Sequence, residues 1–305
     1  MSNEIVGHPL SRSFADDGRT APEPLRRRGA DVSLIIFTLC IQSAVGLVWV
    51  GCAARWIEAL GGNSLFRLQM ATALGLTVMG LAAAPGHLAK PRLAVLALRN
   101  LKRSWLSREV GLAPLTAAAL IWLIWRTPAE GGGLVGLEIG VCLLGLALLG
   151  AMRGVYHIRA VPVWHSAATG LAFLASALML GGALALAAAV LGRAFFSISG
   201  LALTTSAVAV VSGLLAKTMV VILLLKIDAS VPDYIWYAKT AAPLKSDRIF
   251  LLSMGLIVAG IVCLALALTG PAALPLWALG GFLCFAAAEI LGRRHFYKSY
   301  QRIGV

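Results

Sequence analysis

Residues 87–111 read HLAKPRLAVLALRNLKRSWLSREVG, a charged connection between two long apolar runs. His87 closes the first run and Glu109 opens the second. If those runs cross a membrane, this pair suits the chemistry of a quinone, a long apolar molecule with a polar head. Oxidising or reducing a quinone moves two electrons and two protons. Its site therefore needs a hydrogen-bond partner for each carbonyl, a group that passes protons, and an entry from lipid. Histidine titrates near neutral pH, and a desolvated carboxylate is raised toward that range. Plainer roles compete. His87 would equally bond a helix-end carbonyl at the interface, and Glu109 is a favourable acid for the first turn of a helix. The residue types alone leave that choice open.

Six cations fill the same connection: Lys90, Arg92, Arg99, Lys102, Arg103 and Arg108. Leu98, Leu101 and Trp105 fall at i, i+3 and i+7, with Arg92, Arg99 and Arg103 on another face. That spacing predicts an amphipathic helix lying on the membrane surface. Its cations would meet lipid phosphate or dock an acidic partner.

Other polar residues stand at the ends of apolar runs on the same side: Arg153, Tyr156, His157, Arg159, Trp164 and His165, with Glu289 about a turn inside the last run, ahead of Arg293 and Arg294. The opposite ends carry Glu58, Glu130 and Glu138 with scattered arginines, and little comparable chemistry is expected there. A transmembrane b-type haem usually takes two histidines facing each other from within helices. No histidine lies mid-run, so no haem is expected. No His/Asp/Glu pair has ligand spacing such as H-x-x-x-H, so neither a metal site nor a catalytic residue is assigned. Lys217 lies within the sixth run, about two turns from its end. It either snorkels to the interface or serves in proton movement.

The elements that must position these residues follow from composition. The sequence is 59% hydrophobic and 13% charged, with a mean hydropathy of +0.87; a soluble domain carries about 25% charged residues. Eight apolar runs fall at about 33–54, 68–86, 110–125, 134–152, 166–191, 200–225, 249–269 and 272–291, most of them near the ~20 residues a helical span requires. A β-barrel would show ~10-residue alternating segments instead. The expected fold is an all-α integral membrane protein with eight transmembrane helices in one bundle. Residues 1–31 form a flexible cytoplasmic arm, 32–292 the membrane domain and 293–305 a cytoplasmic tail. Arg26-Arg27-Arg28 ahead of the first run resembles a twin-arginine signal, but the run is long and lacks a clear cleavage site, so it reads as a retained span. Val50-Gly51-Cys52 hints at a lipoprotein box that Trp49 fits poorly. Cys40, Cys52, Cys142, Cys263 and Cys284 all sit in apolar runs without C-x-x-C spacing and read as packing residues.

Charge sets the orientation. The arm, the even-numbered connections and the tail hold 21 of the 26 Lys and Arg, against 4 in the odd connections. Cytoplasmic connections carry the excess of Lys and Arg, so both termini are expected in the cytoplasm. The net charge of +13 would suggest nucleic acid in a soluble protein. Here no folded basic domain lies outside the runs, and the cations flank spans to meet anionic lipid. No nucleic-acid partner is expected.

Four segments carry a resemblance: GHLAKPRLA (86–94), NLKRSWLSREV (100–110), MRGVYHIRAVPVWHS (152–166) and AEILGRRHFY (288–297). Together they resemble the DmsC-like membrane anchor subunits of molybdopterin oxidoreductases, over roughly 33–300. The resemblance implies a non-catalytic anchor in a bacterial inner membrane. It would hold an iron–sulfur electron-transfer subunit and a molybdopterin catalytic subunit, exchange electrons with ubiquinone or menaquinone, and bind no haem. It carries the quinone-site histidine onto His87 and the important acid onto Glu109, and the expected site adds Arg92, Arg108 and Trp164. Two departures stand out: Ala89 replaces a glycine, and Arg92 falls one place earlier than in some members. Combined with the charge split, the resemblance implies a cytoplasm-facing complex of the sulfite-oxidising, SoeC-like branch. The alternative is the anchor of a dimethyl sulfoxide reductase-type complex oxidising menaquinol. A stand-alone transporter would need broken helices, midplane charges and repeats; Lys217 is the sole such charge and no repeats are found.

Overall fold

The computed structural model describes residues 28–58, 63–87, 98–127, 134–158, 162–193, 198–230, 248–269 and 274–298, together with the single residues 96 and 195. Their regular structure is helical. Eight helices are long and apolar enough to cross a membrane: α1 (Arg28–Ile57), α2 (Asn63–Ala83), α3 (Trp105–Arg126), α4 (Val135–Val155), α5 (Ala167–Gly192), α6 (Gly200–Ser230), α7 (Arg248–Thr269) and α8 (Leu274–Lys298). Hydrocarbon offers no partner to backbone N–H and C=O groups, so each span must satisfy its own. Hydroxyl residues within the spans do the same locally: Thr77 and Ser206 donate to the carbonyls of Ala73 and Ala202, at 2.8 and 2.7 Å.

The third span is five residues longer at its start than its apolar run. Ser104 has extended backbone (φ −116°, ψ 123°), and its hydroxyl accepts from the Ser107 amide at 3.3 Å. This N-cap starts the helix at Trp105 and carries SWLSRE into the span. The expected surface helix is therefore not formed through this stretch. Residues 98–100 make a single 3-10 turn and 101–103 a tight turn. Leu98 and Leu101 fold back onto Gly111 of α3, each with a methyl 3.4 Å from where a Cβ would stand. The helix breaks between Leu101 and Trp105, where Ser104 caps α3 and Leu98 and Leu101, both still largely exposed, touch it at Gly111.

At the other terminus, α8 continues to Lys298, so 293–298, expected in the tail, are helical, and Arg293 and Tyr297 are buried. Residues 1–27 and 299–305 lie outside the described residues.

α1 and α5 are the most deeply buried spans, and they cross at backbone contact. A Cβ on Gly46 would overlap the Ala177 carbonyl, and one on Gly181 would overlap the backbone of Gly46 and Leu47. Small residues let membrane helices approach this closely, where dispersion rather than hydrophobicity drives packing. Around this crossing, α2 and α4 pack on α1, α3 lies against α2 and α4, α6 and α8 lie against α5, and α7 packs on α8.

Candidate functional site

One end of the bundle collects the start of α1, the end of α2, the start of α3, the end of α4, the start of α5 and the end of α8. Ser33 on α1 donates to the Ala83 carbonyl on α2 at 2.6 Å. The Trp105 ring on α3 fills the space a side chain at Gly154 on α4 would need. The single helical turn Pro162–His165 brings Trp164 against α8, where its indole N–H donates to the Phe296 carbonyl at 3.2 Å.

Glu109 lies one turn into α3, on this face. It is only 6% exposed, and it makes no hydrogen bond or ion pair with any described residue. Tyr156, at the end of α4, is its neighbour. The Tyr156 hydroxyl shares a hydrogen bond with that of Tyr297 at 3.1 Å. Burial first, then Tyr297 and the Glu109 carboxylate, hold the Tyr156 phenol well above the usual tyrosine range, so it remains a protonated donor. An aromatic wall surrounds it. Trp164 and Phe173 meet the Tyr156 ring edge-on at 5.4 and 5.6 Å, and Trp164 stacks on Phe296 at 5.3 Å. This aromatic cluster, with one buried acid and one phenol beside it, has the residue types that hold a polar-headed apolar ligand.

The sequence-derived site residues fare differently. Glu109 and Trp164 meet through Tyr156, a residue that spacing alone does not assign to the site. Arg108 directs its guanidinium back toward the preceding turn, donating to the carbonyls of Leu101 and Lys102 at 2.9 Å each and covering the Trp105 ring at 4.2 Å. It closes the turn that precedes α3. The backbone of His87 ends the 3-10 turn Ala84–His87 at this same end; its side chain, and all of Arg92, lie outside the described residues. The His157 and His165 rings meet at a 34° tilt with centroids 3.9 Å apart. Among the described residues, no group of three His, Cys, Asp or Glu side chains is placed to hold a metal ion.

Deeper in the bundle, five residues from four helices form a polar cluster. Lys217 (α6) pairs with Glu289 (α8) at 2.5 Å. Glu289 accepts from Ser176 (α5) at 2.8 Å. Arg293 (α8) donates to Gln42 (α1) at 2.7 Å and to Ser176 at 3.2 Å, and faces the Phe173 ring at 4.3 Å. Lys217 thus has a protein partner rather than snorkelling freely. Sequence singles out Lys217 and Glu289 separately, but only packing can pair residues so far apart.

The opposite end is not as bare as its sequence suggests. Arg55 and Glu138 form a sealed ion pair at 2.7 Å. Trp56 donates its indole N–H to the other Glu138 oxygen at 2.5 Å, and Arg55 lies over the Phe66 ring at 4.6 Å. Ser199, ahead of α6, donates to Glu58 at the end of α1. The correction has a simple cause: two isolated charges on separate spans give no spacing signal until the helices are packed.

The family described as DMSO reductase anchor subunit (DmsC) matches residues 28–298, all eight spans. The protein belongs to the DmsC family. It is a multi-pass membrane protein and an anchor subunit of the DMSO reductase type. Among its DmsC relatives, the YnfH subunit of an anaerobic dimethyl sulfoxide reductase of Escherichia coli is 29% identical over 285 residues, covering 89% of this sequence and 95% of that protein. The C subunit of the anaerobic dimethyl sulfoxide reductase of Haemophilus influenzae is 29% identical over 159 residues, 50% of this sequence. That match spans 56% of the relative's length. No solved structure matches the protein significantly.

Proposed function

We propose that this DmsC-family protein oxidises menaquinol at the Glu109 face of a bacterial inner membrane. It would pass the electrons to an iron–sulfur subunit docked on that face and then to a molybdopterin subunit reducing dimethyl sulfoxide or a related oxide. The observation that carries the reading is Glu109: a buried carboxylate without a partner among the described residues, beside a protonated phenol and an aromatic wall. No polar contact among those residues offsets its burial, and an unpaired buried charge is strongly unfavourable. It is suited to receive a proton from a bound hydroxyl.

Oxidising one quinol breaks two O–H bonds and releases two electrons and two protons. Glu109 takes one proton and Tyr156 donates a hydrogen bond to the oxygen left behind. Trp164 forms part of the wall against which the ring lies, and His87, whose backbone reaches the same end of the bundle, is the partner assigned to the second oxygen. Arg92 and Arg108 belong to the connection that covers this face, Arg108 by holding the turn before α3.

The deciding experiment replaces Glu109 by Gln and His87 by Leu, singly, in the assembled complex. Each variant is expected to assemble and to oxidise menaquinol about a hundredfold or more slowly, the range a positioned acid–base group contributes. Unchanged turnover in both would remove the site from this face.

The 21-to-4 distribution of cations favours a second reading: a cytoplasm-facing complex in which sulfite oxidation reduces quinone at the same site. Membranes with and without this protein separate the two. Protein-dependent reduction of dimethyl sulfoxide by menaquinol supports the first, and protein-dependent quinone reduction by sulfite supports the second.

A further inference from the structure

The polar cluster around Lys217 has no role in the chemistry above, yet it is the largest group of charged side chains inside the bundle among the described residues. It sets two cations, Lys217 and Arg293, against one carboxylate, Glu289. With Lys217 protonated the cluster carries a net positive charge among apolar helices; with Lys217 neutral it carries none. A net charge in low-dielectric surroundings is strongly disfavoured, and intramembrane ionisable residues mark proton and ion pathways by default.

Three further observations point the same way. Lys217 is 24% exposed at the edge of the bundle, whereas Glu289 is 3% exposed, so the lysine is the member least enclosed by the other helices. Two buried donors, Gln42 Nε2 and Arg293 Nε, have no acceptor among the described residues, as expected where a mobile acceptor such as water enters. And the cluster adjoins the Glu109 face: Tyr297 lies one turn beyond Arg293 on α8, its hydroxyl bonded to that of Tyr156, and Phe173 packs on both Arg293 and Tyr156. Among the described residues, the charged groups near enough to act on Lys217 are Glu289 and Arg293, both from α8; α5 and α1 contribute the uncharged Ser176 and Gln42.

We propose that Lys217, Glu289, Ser176 and Arg293 form an intramembrane proton-holding site that exchanges with the Glu109 face through the Tyr297–Tyr156 hydroxyl pair. The proposal rests on the quinol reading for its source of protons. Of the two protons released by one quinol, Glu109 takes the first. Glu109 hands that proton to Tyr156 as Tyr156 gives up its own to Tyr297, Tyr297 releases its own in turn, and the neutral Lys217 amine becomes an ammonium; His87, at the second oxygen, takes the second. The two electrons leave to the iron–sulfur partner. The site resets when Lys217 releases its proton.

The test uses the assembled complex in nanodiscs, with Lys217→Met and Glu289→Gln. The first arm holds no quinone: infrared difference spectra between two pH values should show a carboxylate band that is lost in Glu289→Gln and no longer moves in Lys217→Met. The second arm follows menaquinol oxidation, which should slow about a hundredfold in Lys217→Met, with a changed pH profile and no loss of thermal midpoint, because Ser176 still donates to Glu289 and Arg293 remains as the nearby cation. A wild-type carboxylate band that does not move with pH overturns the proton site, and if menaquinol is still oxidised the quinol reading stands. A moving band in a complex that never oxidises menaquinol keeps the proton site and removes the quinol reading. A Lys217→Met variant with a lowered midpoint and an unaltered pH profile makes the cluster purely structural and overturns the proposal.

Discussion

Arg55 and Glu138 stand 2.7 Å apart with side chains 1% and 0% exposed, joining the end of α1 to the start of α4. The pair has good geometry: Glu138 also accepts from Trp56, and Arg55 rests on Phe66. Removing one member leaves a buried charge without its counterion, whereas removing both leaves none. Arg55→Met or Glu138→Leu alone should therefore destabilise the bundle by about 3–5 kcal/mol, and the double variant by markedly less. Thermal midpoints of the purified protein in detergent measure all three. A double variant as unstable as the sum of the singles would show that the pair acts as two independent side chains.

The crossing of α1 and α5 makes a different prediction, because it involves backbone rather than charge. Gly181 meets the backbone of Gly46 and Leu47 with no room for a methyl group. Gly181→Ala should lower the thermal midpoint by the equivalent of about 1–3 kcal/mol, the usual penalty for overpacking, and Gly181→Val by more. Alanine at Gly136, which has open space around it, is the control and should change little. Equal midpoints for the Gly181→Ala and Gly136→Ala variants would mean that the helices do not cross here.

Trp105 and Gly154 link packing to the proposed site. The indole occupies the place of a Gly154 side chain, and Glu109 lies one turn further along the same helix face. Gly154→Ala should displace the start of α3 and slow menaquinol oxidation several-fold, since small misplacements of an acid–base group are felt strongly. The double variant Trp105→Leu/Gly154→Ala reopens the space and should recover part of the loss. Failure to recover would separate the effect of Gly154 from contact with Trp105.

The spans are legible in the sequence because hydrocarbon imposes one requirement, length of apolar helix, that composition reports directly. The start of α3 is not, because it depends on Ser104 adopting an extended conformation as N-cap, and the apolar signal begins only at Val110. The Glu109 end of the bundle is readable as a collection of polar residues at span ends. The place of Tyr156 is not, since its neighbours Trp164, Phe173 and Tyr297 come from three other elements. Arg55 with Glu138, and Lys217 with Glu289, are each visible as lone charges. Pairing them needs the packing of α1 on α4 and of α6 near α8, which no local spacing encodes.

The last prediction concerns orientation, on which the two functional readings divide. Tyr156 and Tyr297 share a hydrogen bond, and Trp164 bonds the Phe296 carbonyl, so the Glu109 face and the end of α8 lie on one side of the membrane. A reporter fused after Val305 therefore reads the side of the site as well as of the terminus. Lys and Arg are enriched in cytoplasmic connections, and the 21-to-4 split predicts a C-terminal green fluorescent protein that glows and a C-terminal alkaline phosphatase that is silent. That outcome would require the electron-transfer partner to dock from the cytoplasm, and it would strengthen the sulfite-oxidising reading. The reverse outcome, an active phosphatase, would set the Glu109 face toward the exported side and leave the menaquinol-oxidising reading without a rival. It would also mean that the cations around α3 and α8 serve partner docking rather than topology, and their replacement by Gln should then weaken assembly of the complex without changing the orientation of the protein.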